Sequence, residues 1–245
     1  MGLLKKILNK LSDDKKESFY RIRKANNIPL DFRQNKSEYL ILKEIFEERV
    51  YAEYFPFNKN SVIMDVGAHF GYFSLFASRN SHKDSIIYSF EPSSENFRMQ
   101  KKNISDNKIE NVKLFQCAIG DSNGRAKLFH SANPNHSLLN DGTSASSENV
   151  EVKTLETVVK ENGIQQIDFL KLDCEGAEYR ILETLPAEIF QIIKTISMEF
   201  HDLKSEKYNN AFLADILRKH NFRIVKNKFD RSTVGKNYGK IIATK

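Results

Sequence analysis

Carboxylates and glycines recur where apolar runs end in this 245-residue chain. The run VIMDVGAHFGYFSLF, beginning at Val62, puts Asp65 at the end of an apolar stretch and Gly67 and Gly71 just beyond it. Glycine lets a backbone turn sharply and lets a ligand approach without a Cβ in the way. An aspartate at the carboxyl end of a strand can accept from an ammonium or join a network around a ligand. His69 stands where a dinucleotide-binding G-x-G-x-x-G carries its middle glycine, so that motif is absent. Glu91 closes a second apolar run, SIIYSFE, 20 residues after Gly71. An acid at the tip of a second strand can accept from both hydroxyls of a ribose. Taken alone, it could instead be an acid favoured at a helix N-terminus, an effect of about 0.3–1 kcal/mol. Pro92 then stops the strand. After a third run, QCAIGD, Ala118 and Ile119 could pack on an adenine face, with Gln116 or Asp121 at its edge.

A second set of polar residues follows in KLDCEGAE, from Lys171, and MEFHD, from Met198. Asp173 lies at a strand's carboxyl tip and shares a crevice with Asp65 if their strands are neighbours. Asp173, Glu175 and Glu178 fall within six residues, a costly cluster unless something positive sits among them. Glu175 could cap the following helix and Glu178 could be solvated. Glu199 and His201 alternate with Phe200 and so share one face of an extended chain. Asp173 and His201 are the candidate general bases, His201 because its ordinary pKa lies near working pH. Glu175, Glu199 and His201 are the candidates for touching an acceptor. Asp173, Glu199 and His201 could also hold a divalent cation, though no motif requires one. Neither the G-x-S-x-G and H-E-x-x-H motifs nor a P-loop occurs.

Alternating strands and helices must place these residues. Strands are expected over 61–65, 85–91, 111–117, 167–173 and 195–200. Helices are expected from about Gly71 and over 94–105, 155–161, 177–185 and 209–220. The alternation predicts an α/β fold with a doubly wound, mostly parallel seven-stranded sheet. FRIVKNKF and YGKIIATK predict a C-terminal antiparallel hairpin around a loop with Gly235. Extra strands are expected near 127–129 and 150–152, and residues 131–149, rich in Ser, Asn and Gly, read as a mobile loop. Towards the N-terminus, a helix is expected from Ser37 to about Tyr51. GLLKKILNKL gathers Leu4, Ile7, Leu8 and Leu11 on one helical face. Residues 1–58 therefore read as a helical extension packed on a core domain of 59–245. Residues 2–11 could pack on the body or on a second subunit, or make a peripheral membrane contact.

Composition narrows the class. Apolar residues at 40% and charged residues at 29% exclude a disordered or fibrous chain. No run nears the ~18 apolar residues of a membrane span, and no signal peptide opens the chain. Two cysteines, Cys117 and Cys174, exclude a disulfide framework and a cysteine-based zinc site. They fit a reducing, cytoplasmic setting. Net charge is +6, and residues 216–245 hold nine Lys/Arg against Asp230 alone. That tail is either a solvated basic face or a surface for phosphate, nucleic acid or anionic lipid.

Together the segments RQNKSEYLILKEIFEERVY, DVGAHFGYFS, FEPSSENF, AIGD, IDFLKLDCEGAEYRIL and MEFH resemble the FkbM family of S-adenosylmethionine-dependent methyltransferases. The likeness runs from about Asp31 to Phe229. Gln34, Asn35 and Lys36 replace the glycines that usually follow the family's arginine, and the basic tail lies outside the likeness. The resemblance implies a class I, Rossmann-like fold and S-adenosylmethionine as cofactor. It implies that Asp65, Gly67 and Gly71, with Ala68 and His69 between them, line the methionine part of that cofactor. Glu91, followed by Pro92, would hold the ribose, with Ala118, Ile119 and Asp173 completing the contacts. It further implies methylation of hydroxyl oxygens on a small molecule, sugar or glycolipid. An RNA or protein methyltransferase, a nucleotide-dependent dehydrogenase and a non-catalytic binding module remain the alternatives. Nucleic acid is the less expected partner, because no appended nucleic-acid module is present.

Overall fold

The computed structural model describes residues 36–130, 136–137, 146–201, 203, 205–231 and 237–245. The amphipathic stretch 2–11 and the loop with Gly235 lie outside them. Helix α1 (Lys36–Leu42) runs into a π-helical turn over Lys43–Glu47. The alternating part then follows as β1 (Val62–Val66), α2 (Tyr72–Asn80), β2 (Ile86–Phe90), α3 (Ser94–Asp106) and β3 (Val112–Phe115). Next come the short strands and one helix of an insertion, β4 (Ala118–Ile119), β5 (Gly124–His130), β6 (His136–Ser137), β7 (Ser146–Lys153) and α4 (Leu155–Glu161). The chain continues through β8 (Phe169–Leu172), α5 (Glu178–Thr184), α6 (Ala187–Ile192), β9 (Thr195–His201), α7 (Asn210–Lys219), β10 (Arg223–Arg231) and β11 (Asn237–Thr244).

The main sheet has the order β10-β11-β9-β8-β1-β2-β3. Strands β3, β2, β1, β8 and β9 are parallel, and β11 runs antiparallel to both β9 and β10. The central strands are buried on both faces, as parallel strands covered by helices must be. Their side chains alternate between two cores. Ile63, Ile87 and Phe169 pack with Leu42, Tyr51, Phe55, Phe73 and Phe76 on one face. Met64, Val66, Tyr88, Phe90, Leu170 and Leu172 pack with Leu155, Tyr179, Leu182, Phe190 and Leu213 on the other.

Three expectations change. The helix from Ser37 ends at Glu47 rather than near Tyr51, because Arg49 takes a left-handed φ of 51° and turns Tyr51 into the core. The two extra strands become a second, four-stranded sheet of order β4-β7-β5-β6. Within 131–149, residues 136–137 and 146–149 pair with β5 rather than looping free; residues 131–135 and 138–145 lie outside the described residues. Beyond these, Pro186 starts the short helix α6 ahead of β9.

Candidate active site

A cavity of about 230 Å³ opens where the carboxyl ends of β1, β2, β8 and β9 meet. This is where the sheet's connections diverge, since β1 pairs with β2 on one side and β8 on the other. The β1–α2 loop forms one wall. Gly67 sits at φ +77°, and a Cβ there would lie 1.8 Å from the Asp173 carbonyl oxygen. The glycine is therefore required by the crossing of β8, whatever binds above it. The Gly67 and Ala68 N–H groups donate to the Phe90 carbonyl at 3.1 and 2.9 Å, which folds the loop over the end of β2. His69, at φ +54°, donates its backbone N–H to Glu91 Oε2 at 2.8 Å.

Glu91 is 4% exposed and lines the cavity. Its Oε1 accepts from the Ser93 N–H at 2.8 Å and from Asn96 Nδ2 at 3.5 Å. Burial pushes its carboxyl up to about 7, against these donors, which favour the charged form. Beside it Pro92, Phe90, Cys117, Ala118, Ile119 and, from the second sheet, Leu128 make an apolar shelf. Gln116 turns instead to Ser94 Oγ (3.1 Å) and Asp121 to Arg180 (3.3 Å), so neither meets the cavity.

Asp65 and Gly71 also lie off the cavity wall. Asp65 is fully buried beneath the loop. Its Oδ1 faces Lys171 Nζ at 3.0 Å, and its Oδ2 accepts from Ser74 Oγ at 2.7 Å. From Ser74 the network runs on to Ser89 and Gln100. Gly71 is the left-handed N-cap of α2, and a Cβ there would meet the Gln100 side chain at 2.9 Å. Both residues build the loop from below.

Lys171 was not singled out from the sequence. It is 3% exposed, in a strand, FLKL, that is otherwise apolar and wholly buried. A charged residue at such a position is the signal that could have found it. Burial opposes its ammonium, but Asp65 and Asp173 outweigh that and raise its pKa.

The other end of the cavity is acidic. Asp173, Glu175, Glu199 and Glu44 line it. Tyr51 Oη donates to Asp173 Oδ2 at 3.4 Å, and burial pushes the Tyr51 phenol well up, which keeps it a donor. Glu199 is pushed up to about 8 by burial and by Asp173. Behind Glu199, Lys240 of β11 lies over the Tyr51 ring at 4.2 Å and donates to the Val50 carbonyl. Burial lowers Lys240 to about 8, so at least this lysine of the basic tail is not a solvated one.

His201 stands behind the wall, not on it. Its Nε2 lies 3.4 Å from Glu175 and 3.7 Å from Glu199, and its Nδ1 lies 3.5 Å from Glu178. Burial alone would lower its pKa, yet Glu178 and Glu175 push it up to about 10. That direction favours an imidazolium that braces carboxylates, on geometry that sets His201 beside Glu175, Glu178 and Glu199. Glu178 is not solvated either. It is fully buried and accepts from the Cys174 and Gly176 N–H groups at 2.8 and 2.9 Å, pinning the turn that carries Asp173 and Glu175. Glu175, at φ +53°, reaches His201 instead of capping a helix. Asp173, Glu199 and His201 each present one donor atom within 4.8 Å of the others, the set among the described residues that could take a divalent cation.

Chemically, the cavity offers a buried carboxylate for paired hydroxyls, an apolar shelf for a flat ring and an acidic end for a cation. A family profile described as the methyltransferase FkbM domain matches residues 65–224. The chain is 27% identical to "Methyltransferase 1" of Beauveria bassiana over 187 residues, 68% of this chain and 74% of that one. It is also 27% identical to the "31-O-demethyl-FK506 methyltransferase FkbM" of Streptomyces tacrolimicus over 217 residues, covering 76% and 82% of the two chains. Among solved structures, M. capricolum TrmK, in complex with S-adenosylhomocysteine, matches with a TM-score of 0.51 at 15% identity. That match covers 80% of this chain and 67% of TrmK and speaks to the fold alone. With the profile spanning most of its length, the chain belongs to the FkbM methyltransferase family.

Proposed function

We propose that the chain moves a methyl group from S-adenosylmethionine to a hydroxyl oxygen of a sugar, glycolipid or other natural product. The observation that carries this reading is one cavity with Glu91 at one end and Asp173 and Glu199 at the other. When bound, the cofactor supplies a methyl group made electrophilic by its sulfonium. Glu91 would hold the ribose, the shelf of Ala118, Ile119 and Leu128 the adenine, and the Gly67–His69 loop with Pro92 the remainder. Asp65 and Gly71 support that loop from beneath. A sugar hydroxyl is a poor nucleophile at neutral pH and needs a base as it reacts. Asp173 takes that proton, held by the Tyr51 hydroxyl on one oxygen. Glu175 and Glu199, braced by His201, orient the acceptor, and proximity supplies much of the rate. The hydroxyl preference is supported by the relative whose name specifies a 31-O-demethyl compound. Residues 59–245 form the catalytic domain in this reading, with 36–58 packed upon it.

The test incubates the protein with methyl-labelled S-adenosylmethionine and panels of sugars, glycolipids and hydroxylated natural products, beside transfer RNA and basic peptides. Label in an O-methyl product of the first panels is the expected result. Label appearing only in RNA or peptide would overturn the acceptor class.

A further inference from the structure

Lys171 and Asp173 stand two residues apart at the end of β8, so the period of an extended chain puts them on one face. The parallel register sets Lys171 directly opposite Asp65 of β1. An ammonium has three hydrogens to donate. Two go to Asp65 Oδ1 at 3.0 Å and the Gly67 carbonyl at 2.9 Å. The Val66 carbonyl accepts at 3.4 Å, and Asp173 Oδ2 lies 3.8 Å from the same ammonium. The rings of Tyr51 and Phe73, 5.7 and 5.9 Å away, wall the ammonium in and favour its charge. Tyr51 Oη reaches the same Asp173 oxygen. One hydroxyl donor and one ammonium thus meet at Asp173 Oδ2.

We propose that Lys171 is a positioning residue acting through Asp173: its ammonium sets that carboxylate at the reacting end of the cavity and ties it to the loop that holds the cofactor. The inference rests on reading the cavity as an S-adenosylmethionine site with Asp173 at its reacting end.

The test is calorimetric and needs no acceptor. S-adenosylmethionine and S-adenosylhomocysteine differ by the methyl group and the sulfonium charge. A carboxylate held at the reacting end favours the charged member. Asp173→Asn should lower the preference for it by about 5-fold or more, as expected for a charge pair in a partly buried site. The double variant D65N/K171M removes the ion pair without changing net charge. It should lower the preference, read as the ratio of the two affinities, to the level of Asp173→Asn. If D65N/K171M does not fold, D65N/K171Q serves with the same expectation. A double variant that keeps the wild-type preference overturns the role of Lys171 and leaves the reading of the site standing. Asp173→Asn keeping that preference overturns both.

Discussion

Lowering the pH should weaken cofactor binding through Glu91. Its carboxyl is 4% exposed and burial sets it at about 7, while the His69, Ser93 and Asn96 donors all address the charged form. Accepting from two ribose hydroxyls also requires the carboxylate. At pH 6 about one Glu91 in eleven is charged, and at pH 8 about ten in eleven, so affinity should fall about 10-fold between pH 8 and pH 6. Binding at pH 6 should release close to one proton. Calorimetry in two buffers of different ionisation enthalpy reads both quantities. Glu91→Gln should bind at least about 30-fold more weakly at pH 8, because its amide N–H group faces other donors, and should lose the proton release that wild type shows at pH 6. The linkage has a second face in the ligand-free protein. A raised acid favours the folded state below pH 4.5 and loses that contribution as pH rises through 7, about 3 kcal/mol for this shift. Wild-type affinity that is flat from pH 6 to 8, with no proton released, would refute this account of Glu91.

Other substitutions probe the rest of the site. Asp173→Asn should cut turnover by about 10²-fold or more while S-adenosylhomocysteine binding is largely kept; unchanged turnover in the labelled-methyl assay would remove Asp173 as the base. Gly67→Ala meets a backbone oxygen at 1.8 Å in a left-handed conformation, and should lower stability by about 2 kcal/mol or more in urea unfolding. Lys171→Met alone leaves Asp65 buried and unpaired, a cost of about 3–5 kcal/mol, and Asp65→Asn in the same chain should recover most of it. Equal midpoints for the single and double variants would show that the pair is not coupled.

Periodicity and strand-end chemistry were enough to read the order of strands and helices, the glycine loop after β1 and the acids at the tips of β2, β8 and β9. Those features are local: an apolar run needs burial, a proline stops a strand, and a tight turn needs glycine. The second sheet was half legible, since β4 and β6 are two residues each and exist only by pairing with β7 and β5. The division of labour among the polar residues was only partly legible. Asp65 reads from sequence as accepting from an ammonium or joining a ligand network, and the register of β1 against β8 supplies the ammonium, Lys171. His201 reads as a base because of its type, and only the fold shows that Glu175, Glu178 and Glu199 converge on it and favour its charged form. Glu178 turns inward to the Cys174 and Gly176 N–H groups, and both it and Glu175 flank His201, contacts that the left-handed turn at Glu175 and Gly176 sets and no local pattern shows. The residue types at the strand ends are written in the chain. Whether each one faces the cavity, another charge or a backbone N–H is decided by neighbours up to about a hundred residues away, and so by the tertiary structure alone.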